Sequence, residues 1–220
     1  MKYTGNKNIP GVIEFLINRL PKSERYFSLF MGGAGLENSV YTQDITFYCS
    51  EKDKEQWKNK GKNFVIWECY RSLIEDNVFT SEDFIFADPP YMISTRRSKK
   101  KIYKNEFTVP DHIEFLNYMI SSTAKIMITH PRCDLYDEKL KDWSIEEFKY
   151  MTRGGIFHDA LYTNYNPADI ELMNYKCLGN DFTERQAIKR QRHNIIKKFK
   201  KMNKHKKEAI IIELKKNKLI

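Results

Sequence analysis

Five short apolar runs constrain this chain most: Tyr26-Phe27-Ser28-Leu29-Phe30, Ile45-Thr46-Phe47-Tyr48-Cys49, Phe64-Val65-Ile66-Trp67, Phe84-Ile85-Phe86-Ala87 and Lys125-Ile126-Met127-Ile128-Thr129. Each has the length of a strand and falls short of a buried helix. Helical stretches separate them, among them residues 14–20, framed by Pro10-Gly11 and Pro21, and residues 113–120. Short strands alternating with helices predict an α/β domain with a mainly parallel sheet. At 220 residues and 41% hydrophobic content, the chain can bury one substantial core. It has no internal repeat, no run of about 18 apolar residues and no apolar stretch after Met1 that would make a signal peptide. These features predict a soluble, cytoplasmic protein with no membrane partner. Cys49, Cys69, Cys133 and Cys177 form no Cys-x-x-Cys pair and are expected to be buried thiols.

The net charge of +9 is unevenly placed. Residues 176–220 carry 15 Lys and Arg against 4 Asp and Glu, while residues 1–175 carry 23 against 25. A basic carboxy-terminal segment suits a polyanion, because each cation near a phosphate releases condensed counterions. Thr183-Glu184-Arg185-Gln186 has the form of a capping box, and Ile188, Ile195, Phe199 and Met202 then fall on one helical face. Arg185, Lys189, Arg192 and Lys200 surround that stripe. A second helix is expected from about residue 205 to 216. The division predicted is a domain over residues 1–175 and a basic helical extension over residues 176–220.

Two motifs carry chemistry. Gly32-Gly33-Ala34-Gly35 follows the first apolar run, where glycines let the backbone turn sharply and approach a ligand. Glu51 ends the second run, 19 residues after Gly32, near where an acid meets ribose hydroxyls in dinucleotide folds. Asp88-Pro89-Pro90-Tyr91 follows the fourth run, and four specified residues should recur by chance in roughly one chain of this length in a thousand. The paired prolines stiffen the backbone just past a strand end, which can present a carboxylate, a carbonyl and an aromatic face in one geometry.

With these residues in place, the sequence resembles the class I S-adenosylmethionine-dependent methyltransferases, and within them the Dam-like DNA adenine-N6 methyltransferases. The resemblance covers most of residues 1–175. Lys2-Tyr3-Thr4-Gly5-Asn6-Lys7 looks like the family's amino-terminal cofactor motif, Phe30-Met31-Gly32-Gly33-Ala34-Gly35 like its glycine motif and Glu51 like its ribose acid. Asp88-Pro89-Pro90-Tyr91 matches the catalytic motif without change. Arg96, Tyr103, Phe107, Asp111 and His112 fit the pattern after it, and Leu161-Tyr162-Thr163-Asn164-Tyr165 looks like the last core strand. Two departures stand out. The family's third-strand Asp for the cofactor's adenine is absent, leaving Glu68 as the only acid there, and no target-recognition insert separates Glu68 from Asp88.

The resemblance implies a Rossmann-like class I methyltransferase sheet flanked by helices, with S-adenosylmethionine as cofactor. It implies cofactor contacts from Tyr3, Gly5, Lys7, Phe30, Gly32, Gly33, Gly35, Glu51, Glu68 and Asp88, and catalysis by Asp88, Pro89, Pro90 and Tyr91. DNA is the expected partner. Its candidate contacts are Lys2, Arg96, Arg97, Lys99, Lys100, Lys101, Tyr103 and Lys104, with Arg185, Lys189 and Arg192 in the extension. An adenine amino nitrogen is a poor nucleophile until its N–H groups donate to the Asp88 side chain and a Pro89 carbonyl, which draws it toward tetrahedral geometry. Methyl transfer then needs positioning and electrostatics, with no metal and no covalent intermediate. The base must leave the duplex, and Tyr91 would stack on it. Cytosine-C5 chemistry needs a cysteine nucleophile, usually after a proline, and no cysteine here follows one. Cytosine N4 or RNA adenine is the alternative substrate, and a non-catalytic DNA-binding protein on the same scaffold the alternative class. His112, His130 and His158 lack metal-ligand spacing and are expected to pack or cap.

Overall fold

A computed structural model of the chain describes residues 7–40, 45–59, 63–152 and 154–218. Each expected apolar run becomes a strand, with ends displaced by two residues at most. These are β1 (Arg25–Ser28), β2 (Phe47–Ser50), β3 (Phe64–Trp67), β4 (Asp83–Ala87) and β5 (Lys125–His130). The helices of this part are α1 (Val12–Ile17), α2 (Gly35–Val40), α3 (Tyr70–Glu75), α4 (Val109–Ser121) and α5 (Asp134–Lys139). The chain divides into two compact units, Met1–Lys176 and Cys177–Ile220.

In the first unit two long strands, β6 (Ser144–Thr152) and β7 (Gly155–Thr163), complete a sheet of order β3-β2-β1-β4-β5-β7-β6. From β3 to β5 the strands are parallel. β7 runs antiparallel between β5 and β6. This is a Rossmann-like open α/β sheet, with its order reversing between β1 and β4, where such sheets hold ligands at the carboxyl ends of their strands. The hairpin of β6 and β7 was not legible as apolar runs. In β6 the ring-bearing Phe148 and Tyr150 alternate with the exposed Glu147, Lys149 and Met151, so only one side of the strand packs. Gly155 turns the hairpin at φ +101, and a Cβ there would stand 2.9 Å from an Arg97 nitrogen.

Strand alternation sorts the core. Phe27, Ile85, Ile126 and Ile128 pack with Tyr70 and Leu73 of α3, Phe115 and Leu116 of α4, and Tyr136 of α5. On the other face, Tyr26 meets Phe47 and Phe84 edge-on. There α1 meets β6 through the Phe15–Phe148 ring contact, and Arg19, just past α1, places Nη2 2.6 Å from Glu146 Oε2. Of the four cysteines only Cys49 is fully buried. Cys69, Cys133 and Cys177 are partly exposed.

The second unit holds α6 (Phe182–Lys201) and α7 (Lys204–Lys216), in which no residue is fully buried. The expected capping box at Thr183 is replaced by Asp181, whose carboxylate accepts from the Glu184 N–H at 2.8 Å, so the helix starts one residue before Thr183. Of the expected stripe, Ile188, Phe199 and Met202 are partly buried, and Ile195 is 66% exposed. No helix among the described residues is long and apolar enough to cross a membrane.

Glu37, in the first turn of α2, is 2% exposed and accepts from the Ser28 hydroxyl at 2.6 Å. Burial pushes its carboxyl from 4.5 up to about 7, against the Ser28 hydrogen bond and with help from the Asp88 charge. Between those values the unfolded chain releases the proton while the folded chain keeps it, so stability falls as pH rises through the window. The wild type should lose on the order of 3 kcal/mol across it, a loss that Glu37→Gln lacks. Urea denaturation on either side of the window checks this; parallel curves for the two proteins would sink the assignment.

Candidate active site

At the carboxyl ends of β1 and β2 the chain makes a tight turn. The Ala34 N–H donates to Met31 O at 2.8 Å, and the Met31 N–H donates to Ser50 O at 3.0 Å. Gly32 takes φ +49, a left-handed conformation that suits glycine. Its N–H donates at 2.8 Å to Glu51 Oε2, while Oε1 accepts from the Asp53 N–H at 2.7 Å. Burial raises the Glu51 carboxyl above its ordinary value, and these backbone N–H groups oppose the rise. The turn walls a pocket of about 620 Å³ that also touches Lys7, Phe30, Gly33, Gly35, Tyr70, Asp88, Pro90, Tyr103 and Lys104.

Asp88 follows β4 and is held from two sides. Thr129 Oγ1 of β5 donates to its Oδ1 at 2.7 Å, and Lys7 Nζ stands 2.9 Å from the same atom. Among the described residues both polar partners meet Oδ1, which leaves Oδ2 for an incoming donor. Burial raises the Asp88 carboxyl, and Lys7 then Thr129 pull it back. Burial would lower the Lys7 ammonium, but Asp88 and Asp159 outweigh it and hold it raised. Tyr91 is anchored at its hydroxyl, which accepts from Lys7 Nζ and donates to Asp159 Oδ2, each at 2.5 Å. Tyr150 of β6 donates to the same Asp159 oxygen at 2.9 Å.

Neutral histidines brace the turn. His130 donates from Nδ1 to Pro131 O and accepts the Met92 N–H at Nε2, so its partners fix the tautomer. Burial drives its pKa well down. Its ring stacks on Tyr136, whose hydroxyl lies 2.9 Å from His112 Nδ1. His158 is exposed on β7, neither packed nor capping.

The expected basic DNA-binding loop is mostly spent on the fold. Arg96 is 7% exposed; its guanidinium donates to Tyr91 O and, in a fork, to Glu106. Arg97 donates to the carbonyls of Gly154 and Ile156 and lies over the Phe157 ring. Lys104 reaches Asp53 at 2.9 Å, two residues that both line the pocket. Tyr103 is partly buried under the Arg96 guanidinium. Lys99, Lys100 and Lys101 of that loop present exposed side chains without an acidic partner among the described residues, whereas the exposed Arg97 is held by backbone carbonyls. Glu68 is a second correction. Its carboxylate pairs with Lys54 in solvent, 64% exposed, and the pocket is lined by its neighbours Cys69 and Tyr70. Lys2, Tyr3 and Gly5 lie outside the described residues. Lys189 and Arg192 are exposed on α6 and Arg185 partly so. Sequence reading missed Thr129, Tyr150 and Asp159, which no motif marks.

No family model matches the chain, and no curated protein matches it. Solved structures resemble it weakly. A methyltransferase from Pyrococcus furiosus is 14% identical over 70% of this chain and 82% of its own, with a TM-score of 0.45. The N-terminal domain of human METTL16 in complex with SAH is 13% identical over 70% of this chain and 68% of that one, at 0.43. A precorrin 8w decarboxylase from Methanobacterium thermoautotrophicum is 11% identical over 73% and 95%, at 0.44. Likenesses this weak decide neither substrate nor chemistry.

The Arg96–Glu106 pair sits at 4% and 11% side-chain exposure, and Arg96 holds the Glu106 carboxyl down at about 2. Its contribution is present above the ordinary value of 4.5 and is lost as pH falls toward 2. Arg96→Met should therefore cost about 3 kcal/mol at neutral pH, because it strands a buried carboxylate. Thermal melts at neutral pH should register that loss. Unaltered melting in the variant would show that the Arg96–Glu106 pair is not needed by the fold.

Proposed function

We propose that the first unit is a methyltransferase domain that uses S-adenosylmethionine to methylate adenine N6 in DNA, and that the second unit holds the nucleic acid by its charge. The observation that carries this reading is the continuous pocket linking the Gly32 turn and Glu51 to Asp88. A volume of about 620 Å³ suits a nucleoside-sized cofactor. Each Glu51 oxygen accepts one backbone N–H, so lone pairs stay available for two ribose hydroxyls. Gly32 lets the backbone approach, and Phe30 and Tyr70 offer apolar walls. When bound there, S-adenosylmethionine supplies an electrophilic sulfonium methyl.

The chain's own residues do the rest. Asp88 Oδ2 accepts an N–H of the target amine and orients its lone pair, and the ionised carboxylate stabilises the positive charge that grows on nitrogen. Pro89 and Pro90 keep that carboxylate from drifting. Tyr91, pinned at its hydroxyl, offers a ring face of fixed orientation. The deciding experiment incubates the full chain with methyl-labelled S-adenosylmethionine and DNA or RNA, followed by mass spectrometry of the nucleosides. N6-methyladenine in DNA is expected. Label in RNA alone or on cytosine N4 would move the substrate, and no label in either would overturn the reading.

Asp88→Ala should lower transfer by roughly a thousand-fold while leaving cofactor affinity within a few-fold, since its main contact is with the amine. Glu51→Ala should weaken cofactor binding in the absence of DNA, as calorimetry can measure. Unaltered affinity in Glu51→Ala would place the cofactor elsewhere.

The charge of the second unit has its own test. Reversing Lys189, Arg192, Lys197 and Lys200 to Glu leaves the apolar stripe intact. The variant should bind DNA more weakly, with the salt slope falling by about 0.9 for each phosphate that is no longer neutralised. A folded variant with an unchanged slope would assign DNA binding to Lys99, Lys100 and Lys101.

A further inference from the structure

Asp159 is 3% exposed on β7, a strand the catalytic motif says nothing about. Two tyrosine hydroxyls converge on its Oδ2, those of Tyr91 and Tyr150. Lys7 Nζ lies 3.7 Å from that oxygen and 2.9 Å from Asp88 Oδ1. One ammonium thus stands between two carboxylates, with side-chain exposures of 7%, 14% and 2% for Lys7, Asp88 and Asp159. Two carboxylates crowded in such a space cannot both stay ionised without a cation beside them. The state of Asp88 matters, because a protonated carboxyl would offer a donor where the target amine also donates.

We propose that Asp159 is a positioning residue for Asp88: it fixes the Lys7 ammonium and the Tyr91 hydroxyl, and through Lys7 sets the place and charge of the carboxylate that meets the target amine. The inference rests on the role given to Asp88 in the proposed function. It accounts for a cost the fold otherwise carries without purpose, since burying Asp159 under the hairpin demands donors from three separate segments. The groups whose charge reaches Asp88 come from every side. Besides Lys7, Tyr91 and Asp159, they are Glu37 from α2, Tyr103 from the loop after β4, Tyr136 from α5 and Tyr150 from β6. Burial keeps the tyrosines neutral through the acid-to-neutral range, and it keeps His130, whose burial places it near Lys7, neutral as well. Glu37 is the group that titrates nearby, so the measurement uses a Glu37→Gln background.

The test follows the Asp88 carboxyl directly. The full chain is labelled with carbon-13 at Asp carboxyls, the Asp88 signal is assigned by its loss in Asp88→Asn, and pH is varied without cofactor or nucleic acid. Lys7→Met should raise the Asp88 midpoint by roughly one to three pH units. Asp159→Asn should lower it by about one unit, because a like charge is removed and Lys7 is left to Asp88 alone. In transfer assays Asp159→Asn should reduce kcat by roughly 10- to 100-fold with KM nearly unchanged, its acid limb moving with the midpoint. Loosened packing would move both variants the same way, so opposite shifts single out the charge network. An unmoved midpoint in Asp159→Asn, or shifts of one sign in both variants, overturns the proposal. Should Lys7→Met fail to fold, the isosteric Asp159→Asn decides alone. The titration needs no substrate, so a protein that methylates no nucleic acid would still reveal whether Asp159 governs Asp88.

Discussion

Burial by itself lowers the Lys7 ammonium, and Asp88, just past β4, and Asp159, on β7, outweigh it and keep it charged. Removing one partner of a buried pair costs several kcal/mol, so the three residues bind their segments together. The amino-terminal segment, the turn after β4 and the hairpin of β6 and β7 are brought to one point. Tyr91 and Tyr150 donate to Asp159 Oδ2, and Thr129 donates to Asp88 Oδ1. Among the described residues, Thr129 and Lys7 both meet Asp88 at Oδ1, and Oδ2 is left to accept a further donor.

Around this network, cations that resemble phosphate ligands serve as struts. A guanidinium fork matches a carboxylate and a carbonyl as well as it matches a phosphate. Arg96 uses both, locking the carbonyl of Tyr91 to Glu106, and Arg97 clamps the hairpin turn where Gly155 leaves room. Lys104 reaches Asp53 at the pocket. Of the lysines in the loop after β4, Lys99, Lys100 and Lys101 stay exposed with no acidic partner among the described residues. The first unit's sequence is slightly acidic overall, and the net charge of +9 belongs to the segment beyond it.

The two halves of the pocket differ in how they are made. Around Gly32 and Glu51 the contacts run from side chain to backbone, and they form because β1 and β2 are neighbours in a parallel pair. Around Asp88 the contacts run between side chains far apart in sequence, and they form because β7 enters the sheet beside β5. The first half tolerates changes that keep the turn, whereas the second depends on charge balance among residues on different elements.

By itself the sequence determined what is local. Short apolar runs bounded by glycine, proline and polar residues became β1 to β5, because strand length and burial are set by neighbouring residues. The glycine turn, Glu51 at its strand end, the rigid Asp88-Pro89-Pro90-Tyr91 segment and the charge of residues 176–220 were all readable in the same way. Tertiary structure alone decided which side chains meet. Lys7 and Tyr91 are 84 residues apart and Tyr91 and Asp159 are 68 apart, and nothing in either neighbourhood distinguishes Asp159 from a surface acid. The same holds in reverse for Arg96 and Glu68, which share residue type with ligand-binding groups but were turned inward and outward by the loop and strand that carry them. Strand order and register select such partners, since a charge finds its counterion only after the backbone has placed both in the same low-dielectric space.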